Sequence, residues 1–263
     1  MFTLPIGDDN PTERPAILTW VLIAACVAVF LWQAGLDEAA SRRAVFALGV
    51  VPAVLLGEAS LPPELVWVPS WASVLTSMFL HGGLLHIGGN MLYLWIFGNN
   101  VEDAMGHGRF LVFYVLCGVA AAMAQALLDP ASEVPMIGAS GAIAGVLGAY
   151  LVLHPRANVR VLFIFGLFVR VVAVPAALVL GLWFVMQIAS GAMSASGSGG
   201  IAFWAHVGGF VAGMVLVPLF KRGDVPLLAP PRSRPFALVP RVARGAGEAG
   251  GRAPSGWRRG PWG

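Results

Sequence analysis

Apolar runs without a single charge alternate with polar segments from residue 16 to residue 220. Ala16 to Leu36 is the first, 21 residues long and sufficient to cross a bilayer as a helix. Residues 37–73 follow as a long connection with Arg42, Arg43, four prolines (Pro52, Pro62, Pro63, Pro69) and two tryptophans, Trp67 and Trp71. That pattern predicts a loop folded onto the membrane, with tryptophan at headgroup depth. Val74 to Gly98 is the second run, Asn99 to Arg109 a polar turn, and Phe110 to Leu128 the third run. The fourth starts at Ser140 and ends before His154-Pro155. Arg156, Arg160 and Arg170 then bracket Val161–Val169, nine apolar residues, too few to cross and expected at the interface. Val171 to Phe220 holds fifty residues without a charge. One helix of that length would measure about 75 Å against a hydrocarbon core of about 30 Å, so it must break. The Gly- and Ser-rich stretch Ser190–Gly200 is the natural break, leaving spans five and six.

The pattern predicts an all-α polytopic membrane protein with a six-transmembrane-helix bundle over residues 16–220. Residues 1–15 form a short N-terminal segment. Residues 221–263, rich in Pro, Gly and Arg, read as a disordered basic tail. Composition agrees with a membrane protein. The chain is 58% hydrophobic and 11% charged, against about 25% charged in soluble domains. Cys26 and Cys117 both lie in apolar runs and offer neither a disulfide framework nor a zinc motif. Asp8, Asp9 and Glu13 make residues 1–15 unlike a signal or transit peptide. Six spans put both ends on one side. Fourteen of the sixteen Lys and Arg residues then share that side, and only Arg42 and Arg43 face the other. The positive-inside rule makes the first side cytoplasmic and puts the Ser140 end of span four at the outer face. The basic tail suits either solvent or anionic lipid; no nucleic-acid partner is expected.

Polar residues inside such runs point to function. Gly138-Ala139-Ser140-Gly141 opens span four. The first N–H groups of a helix lack partners within it and can stabilise an anion. A serine there is either a nucleophile beside its oxyanion hole or simply the N-cap of the helix. His206 opens span six, with Gly209 and Gly213 following on its face at i+3 and i+7. Span four carries Gly141, Gly145 and Gly148. Small residues at these spacings let two membrane helices pack closely, and that packing would bring Ser140 to His206. His86 and Asn90, four apart, share a face of span two and can both donate to an oxyanion. His81 lies about 140° away on a helix and is expected to tie down the loop. The histidines could instead be packing residues or a metal set. No carboxylate lies within spans two, four, five or six, as a cation site or proton path would want.

His81-(x4)-His86-(x3)-Asn90, Gly138-Ala139-Ser140-Gly141 and Ala205-His206-(x2)-Gly209-(x3)-Gly213 together resemble the rhomboid family of intramembrane serine proteases. The resemblance covers roughly residues 16–220, in the family's order and spacing. It implies a six-helix core of the basic bacterial type, in a plasma (inner) membrane with both termini cytoplasmic. It also implies cleavage of peptide bonds in or near the transmembrane segments of other proteins by a Ser–His dyad without an acid. Two residues depart from patterns found in some members. Ala144 stands where an aromatic residue would stack on the histidine, so something else must hold the imidazole. Trp71 is followed by Ala72 where Trp-Arg would anchor the first loop.

The expected roles follow. Ser140 is the nucleophile and His206 the general base, then general acid. His86, Asn90 and the Ser140 amide bind the oxyanion. Gly138 positions substrate, while Gly141, Gly209 and Gly213 serve helix packing. The 190–200 loop acts as a lid, and no metal or cofactor is required. The partners are transmembrane substrates and the bilayer. A non-catalytic scaffold holding client helices in the same groove, or a transporter, are the rival readings.

Overall fold

A computed structural model describes residues 2–166, 168–193 and 202–239. The protein is mostly helical and polytopic. Its helices are α1 (Ile17–Ala34), α2 (Glu38–Leu48), α3 (Pro52–Leu55), α4 (Ser70–Thr76), α5 (Leu84–Met105), α6 (His107–Leu128), α7 (Ser140–Leu153), α8 (Ala176–Met193) and α9 (Phe203–Phe220). Among the described residues α1, α6, α8 and α9 are long and apolar enough to cross a membrane. α7 is shorter, about 21 Å by helical rise, and forms the centre. Every residue from Gly141 to Tyr150 is buried, with α5, α6 and α9 packed around it.

The run Val74–Gly98 is not one helix. α4 passes into a short 3-10 turn, Ser77–Phe79, and α5 starts only at Leu84. Gly82-Gly83 causes the interruption, with Gly83 fully extended (φ 161°, ψ 173°). At the other end α5 continues through the expected polar turn to Met105, where Gly106 stops it at φ +82°. The polar residues 99–103 are absorbed by the chain before α1. Glu102, 1% exposed, accepts the N–H groups of Leu18 and Thr19 and the Thr19 hydroxyl at 2.7–2.8 Å. Ala16, the N-cap of α1, has no side chain for that task, so the carboxylate of another helix satisfies the orphan donors and the positive helix end. His107 Nδ1 lies 2.5 Å from Glu102 Oε1.

At the Leu153 end of α7 the chain forms a three-stranded antiparallel sheet that the apolar pattern did not reveal. Strands β1 (Phe2–Asp8), β2 (Asn158–Phe165) and β3 (Phe168–Pro175) lie in that order. β2 and β3 make a hairpin from Asn158↔Pro175 to Phe165↔Phe168, turning at Gly166 with φ +55°. β1 adds from the N-terminus, Phe2↔Ile164 to Asp8↔Val159, with an irregularity between Pro5 and Gly7. Within the apolar piece Val161–Val169, residues 161–165 belong to β2 and residues 168–169 to β3. Side chains bolt the sheet to the bundle. The Tyr150 hydroxyl of α7 donates to Asp8 Oδ2 at 2.5 Å, while within the sheet the Asn158 N–H donates to Asp9 Oδ1 at 2.7 Å. Burial pushes the Asp8 carboxyl up to about 7, with Asp9 adding to the rise and the Tyr150 hydrogen bond opposing it.

The stretch 222–239, expected within a disordered tail, makes regular backbone contacts. Leu228 and Ala229 donate to Val152 and Leu153, and Phe236 and Val239 donate to Ala173 and Val171. These bonds supply acceptorless donors of the tail with the free edge of β3 and the last carbonyls of α7. Residues 240–263 lie outside the described residues.

Candidate active site

α7 starts at Ser140 because Gly138 interrupts the chain before it. Gly138 sits at φ +124°, where L side chains are strained, and its N–H donates to the Ser77 carbonyl at 2.9 Å. That bond pins the loop to the turn ahead of α5. Ser140 therefore occupies the first helical position, where a backbone N–H has no partner inside the helix.

α9 brings in His206 through glycine. A Cβ at Gly209 would stand 2.0 Å from the Gly141 carbonyl oxygen, and one at Gly213 1.9 Å from that of Gly145. A Cβ at Gly148 would meet the Phe210 oxygen at 2.1 Å, and one at Gly141 the Ala121 Cβ of α6 at 2.5 Å. Only hydrogens fit at these points, so the two backbones touch. Near the upper end of this seam His206 Nε2 lies 2.8 Å from Ser140 Oγ.

The other side of the imidazole is held by α8. His206 Nδ1 lies 2.8 Å from Gln187 Oε1. The Trp183 ring, one turn away on the same helix, lies 5.9 Å from the imidazole centroid at 37°. Ala144, fully buried, contributes no ring. Sequence reasoning missed both α8 residues. The available signal was a lone amide in a charge-free run, the same criterion that singled out Asn90.

On the facing helix His86 is oriented by backbone. The Gly82 N–H donates to His86 Nδ1 at 3.2 Å, which leaves the neutral ring its proton on Nε2. A Cβ at Gly138 would lie 2.7 Å from His86 Nε2 and 3.7 Å from Ser140 Oγ. The absent side chain of Gly138 thus leaves a small space that Nε2–H and the serine both border. Asn90, buried one turn deeper on α5, donates through Nδ2 to the His86 carbonyl at 2.9 Å. Its second amide N–H remains for another acceptor. His81 stands edge-on to His86, ring centroids 5.2 Å apart. Its N–H donates to Gln33 Oε1 of α1 at 2.9 Å, so it fastens the loop rather than joining the pair.

Ser140, His206, His86 and Gly138 therefore converge, with Asn90 just below. A hydroxyl bonded to imidazole, next to convergent N–H donors at a helix start, is suited to acyl transfer. Among the described residues no group of three or more His, Cys, Asp or Glu could hold a metal ion. Residues 190–193 of the expected lid belong to α8, and 194–200 lie outside the described residues.

Residues 68–223, more than half of the chain, match the family model of the Rhomboid domain. The chain is similar to Rhomboid protease GluP of Bacillus subtilis, 43% identical over 81 residues, 31% of this chain and 15% of the relative. It is also similar to Rhomboid protein 1, mitochondrial, of Saccharomyces cerevisiae, 32% identical over 157 residues, 57% of this chain and 42% of the relative. RHOMBOID-like protein 5 of Arabidopsis thaliana is 37% identical over 78 residues, 30% of this chain and 25% of the relative. In each case the match spans less than half of the relative's own length.

Proposed function

Since the chain belongs to the rhomboid family, we propose that it is an intramembrane serine endopeptidase acting on transmembrane segments of other proteins. The observation that carries this reading is the 2.8 Å approach of Ser140 Oγ to His206 Nε2 at the start of α7. Ser140 Oγ attacks the scissile carbonyl carbon while its proton passes to Nε2. The carbonyl electron pair moves onto oxygen, which the Ser140 N–H, His86 Nε2–H and the second Asn90 N–H stabilise. His206 then gives its proton to the leaving nitrogen as the C–N bond breaks. A water repeats the sequence on the acyl-enzyme, with His206 again as base, and frees Ser140. Gly138 leaves room for the substrate backbone beside the hole, and no cofactor enters.

In this reading α5 and α7 complete six crossings, and both ends face the cytoplasm. The described Arg14, Arg109, Arg156, Arg160 and Arg170 fall on that side. Substrate would reach Ser140 from the outer half of the bilayer. Co-expression with a panel of single-span proteins tests the proposal. Cleavage of at least one, lost in Ser140→Ala, supports it. Cleavage that persists in Ser140→Ala removes the nucleophile, and client binding without cleavage favours the scaffold.

A further inference from the structure

We infer that Gln187 is the positioning residue of the dyad, taking the place an acid holds in a catalytic triad; this rests on the protease reading above. A neutral imidazole carries one N–H. To accept the Ser140 proton, His206 must present a bare Nε2, so its own proton must sit on Nδ1. The structure sets Gln187 Oε1, an acceptor, 2.8 Å from Nδ1. With the proton on Nε2 instead, that N–H would point at Ser140 Oγ and could take nothing from it.

The same contact serves the charged intermediate. When the Oγ–H bond breaks and the proton moves to Nε2, both ring nitrogens become donors. The Nδ1–H keeps its acceptor without any rotation, now as a charge-assisted hydrogen bond. A flipped amide would aim N–H at N–H in that state, so the reaction itself favours the oxygen-facing amide. Geometry restricts the ring further. Trp183 lies one turn before Gln187 and against the imidazole, limiting its rotation about the Cβ–Cγ bond.

Two variants and one spectrum test this. Gln187→Met keeps length and replaces the amide oxygen by a thioether, at most a weak acceptor. It should lower kcat by about tenfold or more, a part of the 10²–10⁴ that a positioned general base contributes, with KM within about twofold. Gln187→Glu restores an acceptor and should recover most of the kcat lost in Gln187→Met. Independently, ¹⁵N NMR of histidine-labelled wild type at pH 8, assigned by His206→Ala, should show His206 protonated on Nδ1. Gln187→Met should show a mixture of tautomers. A Gln187→Met kcat within twofold of wild type in a folded sample overturns the inference, and so does an Nε2-protonated His206 in the wild type. The spectrum needs no turnover, so it decides the role of Gln187 even if the protease reading fails its own test with Ser140→Ala.

Discussion

The α7–α9 seam and helix α8 hold the same histidine in opposite ways. Along the seam, backbone meets backbone at Gly141, Gly145, Gly209 and Gly213, and nothing larger than hydrogen fits. α8 is packed on one side only. Ala176, Leu180 and Gly191 are buried, whereas Leu182 and Val185 are 63% and 59% exposed and read as lipid-facing. A Cβ at Gly181 of α8 would meet nothing within 4 Å. The seam sets how far His206 stands from Ser140. The loosely packed helix sets which way the ring faces. Distance is thus built into the densest part of the molecule, and orientation is delegated to a helix with one face in the core and the other exposed.

The widest break in this comparison is a side chain in the seam. Gly213→Val should leave little folded protein in detergent, because its Cβ cannot coexist with the Gly145 carbonyl. Gly181→Ala should match or slightly exceed wild-type stability, since alanine favours helix over glycine by up to about 1 kcal/mol. Unfolding temperatures of the two variants check this directly. If they were equal, the contrast between seam and α8 would be empty.

A second cut separates chemistry from packing at the facing helix. Asn90→Ala should lower kcat by about 10²–10³ if its free N–H reaches the oxyanion. As a purely structural residue it would cost about 0.6–2 kcal/mol of stability and leave turnover per folded molecule near normal. Turnover and unfolding temperature on one purified sample distinguish the two.

The effect farthest from the dyad lies at the sheet end of α7. Asp8 has a folded pKa of about 7 against 3.8 in the open chain, because burial penalises its charge. A raised carboxyl binds its proton more tightly in the folded state. Its contribution is complete below about pH 4 and is lost as pH rises toward 7. The unfolding temperature of wild type relative to Asp8→Asn should therefore fall between pH 4 and pH 7 and level off above about 8. A difference that does not change across that window would mean that Asp8 titrates normally.

What could be read from the residues follows from how local each signal is. The glycine spacing of spans four and six implied close approach, and the structure puts Ser140 Oγ 2.8 Å from His206 Nε2. Helix α7 could be bounded in advance because Gly138 and His154-Pro155 punctuate it. The sheet could not. β2 and β3 are short apolar runs without a decisive period, and their partner β1 comes from the N-terminus, with Pro5 and Gly7 arguing against a strand. Glu102 looked like part of a polar turn, because its role is to cap a helix 83 residues earlier in the chain. Gln187 was visible as a lone amide in an apolar run, but its partner, a histidine on another helix, was not.

The central claim is that Ser140 is a nucleophile activated by His206. The direct measurement is reaction of the purified protein with a fluorophosphonate, with the adduct located by mass spectrometry of peptides. A single adduct on Ser140 is expected, absent in Ser140→Ala and formed far more slowly in His206→Ala. Ser140 unmodified in folded wild type, or labelled equally fast without His206, would contradict it.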